Sequence, residues 1–203
     1  MKQFILMLFA ATFLFACNNS KQDTTQKQEP VAITAADTGD SVNIRNVILD
    51  FYTWYTSNYD KMMGYQLYRG INKMDQPPYK INWDEVKRYQ ALIKDSIPQL
   101  GQDFLDNQMQ MFRQCDSAFK VDLADEIPYG FDYDWYTNSQ EEPSYLLTGI
   151  RSSGKWIISI KRDEASVEIG APEDKNYISG SLLLFVGLKK ENGQWKIAKI
   201  GND

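Results

Sequence analysis

The chain contains no histidine. Imidazole therefore supplies neither a general base nor a metal ligand, and any chemistry must run on carboxylates, phenols, amines or a thiol. A basic excess is missing as well: 22 Lys and Arg stand against 27 Asp and Glu, for a formal net charge of −5. With no stripe of Lys and Arg in the sequence, neither nucleic acid nor an anionic lipid surface is an expected partner. Apolar runs long enough to cross a membrane are also lacking. The run from Phe4 to Phe15 falls short of the about 20 residues that a hydrocarbon core requires, and it reads as the core of a signal peptide.

Two features of the N-terminal region set the expected compartment. Met1-Lys2 is a short positive start, and the apolar run ends in Leu14-Phe15-Ala16-Cys17. This ending resembles a bacterial lipobox, with an aliphatic residue three before the cysteine and a small residue directly before it. The resemblance implies that residues 1–16 are a lipoprotein signal peptide. It also implies that Cys17 is the lipidated first residue of the mature protein, with a diacylglyceryl group and an amide-linked acyl chain. Several chains anchor stably where one would be marginal, so the expected location is the bacterial cell envelope, on the inner or outer membrane. The bland alternative is an ordinary secretory signal with an incidental cysteine. Residues 18–40 have no aromatic residue and are rich in Gln, Thr, Asp and Lys. They cannot bury enough apolar area to offset their ordering entropy, so residues 17–40 read as the acylated cysteine plus a tether of about 25–30 Å reach. Cys115 then stands alone and no internal disulfide can form.

Residues 41–203 have the length of one domain with its own core. The chain from Ser41 to about Tyr59 carries Val47, Ile48, Phe51, Tyr52 and Tyr55 at helical spacing, after Asp40 or Ser41 as cap. These rings read first as core packing and second as ligand-stacking groups. From Met62 to Lys80 a short helix followed by a loop is expected, because Gly64, Gly70 and Pro77-Pro78 interrupt it. Asn82 to Glu85 has the spacing of a capping box before a helix to about Ser96. Pro98 reads as a first-turn proline of a helix over 99–120, whose buried face carries Leu100, Phe104, Met111, Phe112, Cys115 and Phe119. Cys115 is thus expected to be buried and inert.

The C-terminal third reads as four strands. Trp156, Ile158 and Ile160 alternate in one, Ala165, Val167 and Ile169 in the next, with Asp163-Glu164 expected as the turn between them. The last two form a hairpin about Asn192-Gly193, a pair suited to the two positive-φ positions of a type I′ turn. A two-residue loop pairs Lys190 with Trp195, Leu188 with Ile197, Val186 with Lys199 and Phe185 with Ile200. Leu182, Leu184, Val186, Leu188, Trp195 and Ile197 then share a face that needs apolar cover. The opposite face, with Leu183 and Phe185, has no evident cover and reads as a pocket wall or a homodimer surface. Helices first and a meander after them indicate an α+β domain, with the N-terminal helices packed on one face of a curved four-stranded antiparallel sheet.

Between helices and strands runs a long stretch, 122–144, rich in acids and rings: Asp122, Asp125, Glu126, Asp132, Asp134, Glu141 and Glu142 beside Tyr129, Phe131, Tyr133, Trp135 and Tyr136. Connections of this length are often functional. Taken with this order of elements, Phe51-Tyr52-Thr53-Trp54-Tyr55, Phe131-Asp132-Tyr133-Asp134, Asn138-Ser139-Gln140-Glu141 and Asn192-Gly193-Gln194-Trp195-Lys196-Ile197 resemble a bacterial lipoprotein group, the domain of unknown function 3828. That group lies in the nuclear-transport-factor-2-like superfamily. The resemblance spans roughly residues 41–200 and implies a cystatin-like cone on the envelope with no established reaction.

Three chemistries are open to the loop. Some enzymes of that superfamily use a carboxylate base with a Tyr or protonated Asp as oxyanion donor, which here would be Asp132 or Asp134 with Tyr52, Tyr55 or Tyr59. A calcium loop would use Asp132, Asp134, Asn138 and Glu141, but it lacks the central glycine and has Pro143 where the bidentate acid belongs, so no metal or other cofactor is expected. Recognition by exposed rings and acids is the third. The reading carried forward is a membrane-anchored, non-catalytic domain that binds an envelope protein, glycan or small ligand through Asp132, Asp134, Trp135, Tyr136, Tyr52 and Tyr55. A small-molecule enzyme is the alternative.

Overall fold

The computed structural model describes residues 39–70, 77–121 and 128–201. The expected signal peptide, Cys17, the tether up to residue 38, and Asp122, Asp125 and Glu126 lie outside the described residues. Four helices and two antiparallel sheets make up the rest: α1 (Gly39–Met63), β1 (Tyr68–Gly70), β2 (Tyr79–Ile81), α2 (Trp83–Ser96), α3 (Gln102–Ala118), α4 (Pro143–Ser152), β3 (Trp156–Lys161), β4 (Glu164–Gly170), β5 (Leu182–Glu191) and β6 (Gln194–Ile200). The domain is α+β, as expected. Among the described residues, no helix is long and apolar enough to cross a membrane.

Helix α1 buries Ile44, Ile48, Phe51, Tyr52, Tyr55 and Met62 along one stripe. It runs past the expected end at Tyr59 because Met62 completes that stripe. Asp40 and Ser41 lie inside the helix rather than capping it. The Asp40 carboxylate instead accepts bonds from Trp195 Nε1 at 2.9 Å and Lys190 Nζ at 3.0 Å, which clasps the start of α1 to the last hairpin.

After α1, the expected short helix and loop are replaced by a ribbon in which β1 pairs with β2, Tyr68 opposite Ile81 and Gly70 opposite Tyr79. Asn82 does stand at the start of α2, but its side chain makes no capping bond, and Glu85 pairs with Arg88 instead of reaching back. Pro98 lies outside α3, which begins at Gln102. Residues 99–101 run beside β6 as a parallel bridge: Ile197 N–H donates to Gln99 O at 2.8 Å and Gly101 N–H to Ile197 O at 2.9 Å. Those backbone groups are held by the sheet, so the helix starts later, and the open edge of β6 is covered in part.

Helix α4 is an addition to the expected elements. Pro143 at its first position suits a helix start. Gly149 in its middle meets Leu183 so closely that a Cβ would sit 2.8 Å from Leu183 Cδ2 and 2.9 Å from Tyr177 Cε1. Helix α4 packs on α1 and β5.

The large sheet has the order β3-β4-β5-β6. The β3–β4 turn is Arg162-Asp163, since Lys161 pairs with Glu164; it is one residue earlier than expected, and Arg162 takes the positive φ of 58°. In the last hairpin Asn192 and Gly193 have φ of 52° and 79°, as the type I′ turn requires. Lys190 pairs with Trp195 and Leu188 with Ile197 as expected. A bulge beyond Ile197 then shifts the register, so Gly187 meets Lys199 and Val186 meets Ile200. Leu184, Val186, Leu188, Trp195 and Ile197 are buried, while Leu182 is exposed past a second irregularity opposite Gly170. On the other face Lys199 Nζ lies 5.6 Å from the Phe185 ring, and Leu183 lies beneath Gly149 of α4, so that strip is half-covered by the chain itself.

Candidate binding pocket

The loop from residue 128 to 142 is tied down by its own polar groups. Asp134 N–H donates to Ser139 O at 2.9 Å, Asn138 N–H to Asp134 O at 2.7 Å, and Asn138 takes a positive φ of 52°. Asp134 Oδ1 accepts the Tyr136 N–H at 2.8 Å, a turn in which the side chain stands in for a backbone acceptor. Trp135 Nε1–H donates to Gly130 O at 2.6 Å and Gln140 Nε2–H to Asp132 O at 3.0 Å.

This turn drives Tyr136 into the helical layer. Its ring packs against Tyr55, Phe104 and Phe51 at centroid distances of 4.8, 5.6 and 6.0 Å. Its hydroxyl accepts from Tyr89 at 2.9 Å and from Gln108 Nε2 at 2.8 Å, while its carbonyl accepts the Tyr52 hydroxyl at 2.7 Å. Gln90 Nε2 extends the network by donating to Gln108 Oε1 at 2.8 Å. A buried polar network of this kind specifies one arrangement, because each partner left alone would be costly.

The six expected binding residues thus divide. Tyr52 and Tyr136, expected as contact groups, are core: they are 0% and 3% exposed, and their hydroxyls are used within the protein. Tyr52 lies on the buried stripe of α1, and the Asx turn at Asp134 points residue 136 inward. Asp132 is exposed, and its part in the loop's bonding is through its carbonyl. Trp135 is half-buried, its ring 4.9 Å from Phe112 and 5.1 Å from Phe131. Asp134 and Tyr55 do come together, the Tyr55 hydroxyl donating to Asp134 Oδ2 at 2.7 Å. Tyr59 stands edge-on to Tyr55 at 5.8 Å.

Asp134, Tyr55, Trp135 and the inner ring of Tyr136 all line a pocket of about 370 Å³ between the end of α1, the β1–β2 ribbon, α2 and the loop. Its other walls, Tyr65, Tyr68, Tyr79 and Phe131, come largely from the stretch whose three-residue strands are too short to show periodicity. The only available signal was the recurrence of tyrosine at positions 65, 68 and 79 between punctuating Gly and Pro.

Burial raises the Asp134 carboxyl above its usual value, against the lowering effect of the bonds from Tyr136, Tyr55 and Thr137. Burial and the Asp134 charge together hold the Tyr55 phenol far above the ordinary range, so it stays a proton donor at physiological pH. Among the described residues no group of three or more acids or cysteines is placed to hold a metal ion. A larger groove of about 1390 Å³ runs along α4 and residues 171–180, and two of its lining residues, Tyr145 and Tyr177, stack on each other at 4.6 Å.

No family model matches the chain, and no curated protein does. A solved structure, the type VI effector-immunity complex Tae3–Tai3 from Ralstonia pickettii, is similar at a TM-score of 0.41 and 14% identity over 78% of this chain and 95% of that one. A likeness at that level carries no argument about function.

Proposed function

We propose that the chain is a lipid-anchored domain of the bacterial cell envelope that binds a small ligand in the aromatic pocket, without turning it over. The observation that carries this reading is the pocket itself: a wall of tyrosine, phenylalanine and tryptophan rings with one oriented carboxylate, Asp134, set among them. Ligand pockets have this composition, mostly apolar with a few placed polar groups that fix orientation. The lipobox-like Leu14 to Cys17 supports the anchor. The helical layer over the sheet supports the cystatin-like cone of the nuclear-transport-factor-2-like superfamily, and the loop and hairpin motifs support the domain of unknown function 3828 as the family.

Ligand-observed NMR with a small-fragment set tests the binding reading: hits should lose affinity on Phe131→Ala, and hits indifferent to that change would place binding elsewhere. Membrane fractionation tests the anchor, since Cys17→Ser should release the protein from the membrane and retention would refute the anchor. The Asp134–Tyr55 pair favours one second reading, an enzyme with Asp134 as base. Turnover of a bound compound that is lost in Asp134→Asn while binding persists would establish it.

A further inference from the structure

The pocket contains one formal negative charge held in place by the fold and, among the described residues, no positive charge to answer it. Ion pairs among the described residues join Lys87 to Asp84, Arg88 to Glu85, Lys120 to Asp116, Lys189 to Asp103 and Lys190 to Asp40. None includes Asp134, whose oxygens instead accept from Tyr55 at 2.7 Å and the Tyr136 amide at 2.8 Å. Hydrogen bonds orient a carboxylate without neutralising it, and in a partly desolvated site the charge gains from a cation.

The rings around it add to the same preference. Tyr68 stands at 89° to Tyr79 and 56° to Phe131, and Phe131 at 49° to Trp135. All four rings line the pocket, and any ring face turned toward it carries the negative lobe of the ring quadrupole. The ribbon also keeps cations away: Arg69 pairs with Lys80 in register, and strand alternation puts both on the face opposite Tyr68 and Tyr79. An anion would meet Asp134 and the ring faces unfavourably, and a neutral apolar group would leave the carboxylate unanswered. An inorganic cation would need several oxygen ligands, and no group of three or more His, Cys, Asp or Glu stands together among the described residues to supply them.

Resting on the binding reading above, we propose that the pocket's ligand is an organic cation, an ammonium group carrying methyl or similar apolar substituents, held between the faces of Tyr68, Tyr79, Phe131 and Trp135 with its charge toward Asp134. A quaternary ammonium offers diffuse positive charge on an apolar surface, which is the complement of rings plus one carboxylate.

The test titrates the full-length protein, in a non-ionic detergent, with choline and with 3,3-dimethylbutan-1-ol, its neutral isostere, following the Trp135 indole signal by NMR. Choline should bind saturably and at least about tenfold more tightly than the alcohol. Asp134→Asn should weaken choline by about tenfold and leave the alcohol unchanged. Equal binding of the two probes to the unaltered protein would overturn the cation proposal while leaving an apolar ligand pocket standing. Binding of neutral fragments with no binding of choline would do the same, and a pocket that takes neither probe nor any fragment would overturn both. The comparison of probes on the unaltered protein decides the matter even if Asp134→Asn does not fold.

Discussion

Tyr136→Phe removes one oxygen from the centre of the buried network and leaves two donors without an acceptor. The Tyr89 hydroxyl, 2.9 Å away, and the Gln108 amide, 2.8 Å away, both point at that oxygen, and both residues are at most 4% exposed, so water cannot replace it without opening the layer. Each buried group left unsatisfied costs about 1–3 kcal/mol, so the substitution should destabilise the domain by about 2–6 kcal/mol although ring and volume are kept. Urea unfolding should show the midpoint falling with an unchanged slope. The double variant Tyr89→Phe/Tyr136→Phe leaves only Gln108 orphaned, so it should lose less than the sum of its singles, a coupling characteristic of shared partners. A loss below about 0.5 kcal/mol for Tyr136→Phe, within the range of ordinary surface changes, would refute the claim that this network is closed to solvent.

Asp134 makes a pH-dependent contribution with a definite sign. Its carboxyl is raised by burial above 3.8, so between 3.8 and its native value the folded state holds the proton that the unfolded state has released. The contribution is complete below pH 3.8 and is lost as pH rises through the native value. The stability of the unaltered protein relative to Asp134→Asn should therefore decline as pH rises above 3.8; a rise would show a lowered carboxyl instead. Gly130→Ala should cost more than Gly180→Ala: both have a positive φ, 77° and 76°, but the new Cβ at 130 would sit 2.7 Å from Cys115 Sγ while that at 180 meets nothing within 4 Å. Strain alone is worth about 1 kcal/mol, and equal losses in unfolding would remove the contact argument. Burial pushes the Cys115 thiol up to about 11, so a thiol reagent at pH 8 should leave it unlabelled until urea unfolds the chain, and rapid native labelling would place it at the surface.

Where local chemistry decides the structure, the sequence was enough. Asn192-Gly193 can make few turns other than the one seen, the alternation in β3 to β6 shows which face is buried, and the stripe of α1 follows from spacing. What escaped was set by partners distant in the chain. The hairpin bulge past Ile197 accompanies residues 99–101 pairing with that strand, and α3 starts late for the same reason. Helix α4 escaped because residues 145–153 carry no assignment of their own, and the close packing of Gly149 on Leu183 and Tyr177 joins positions about thirty residues apart. The candidate site was half legible. Asp134, Tyr55 and Trp135 stood in motifs that draw attention, but Tyr136 looked equally exposed until the Asx turn at Asp134 aimed it inward. The pocket's far wall came from β1 and β2, which are held by pairing rather than by pattern.

Protein-observed NMR with ring-labelled tyrosine and tryptophan, titrated with whichever fragment binds, tests the central claim most directly. Shifts should concentrate on Tyr65, Tyr68, Tyr79 and the Trp135 indole, with Tyr145 and Tyr177 in the larger groove unmoved. Shifts confined to Tyr145 and Tyr177 would contradict it and move the site to α4.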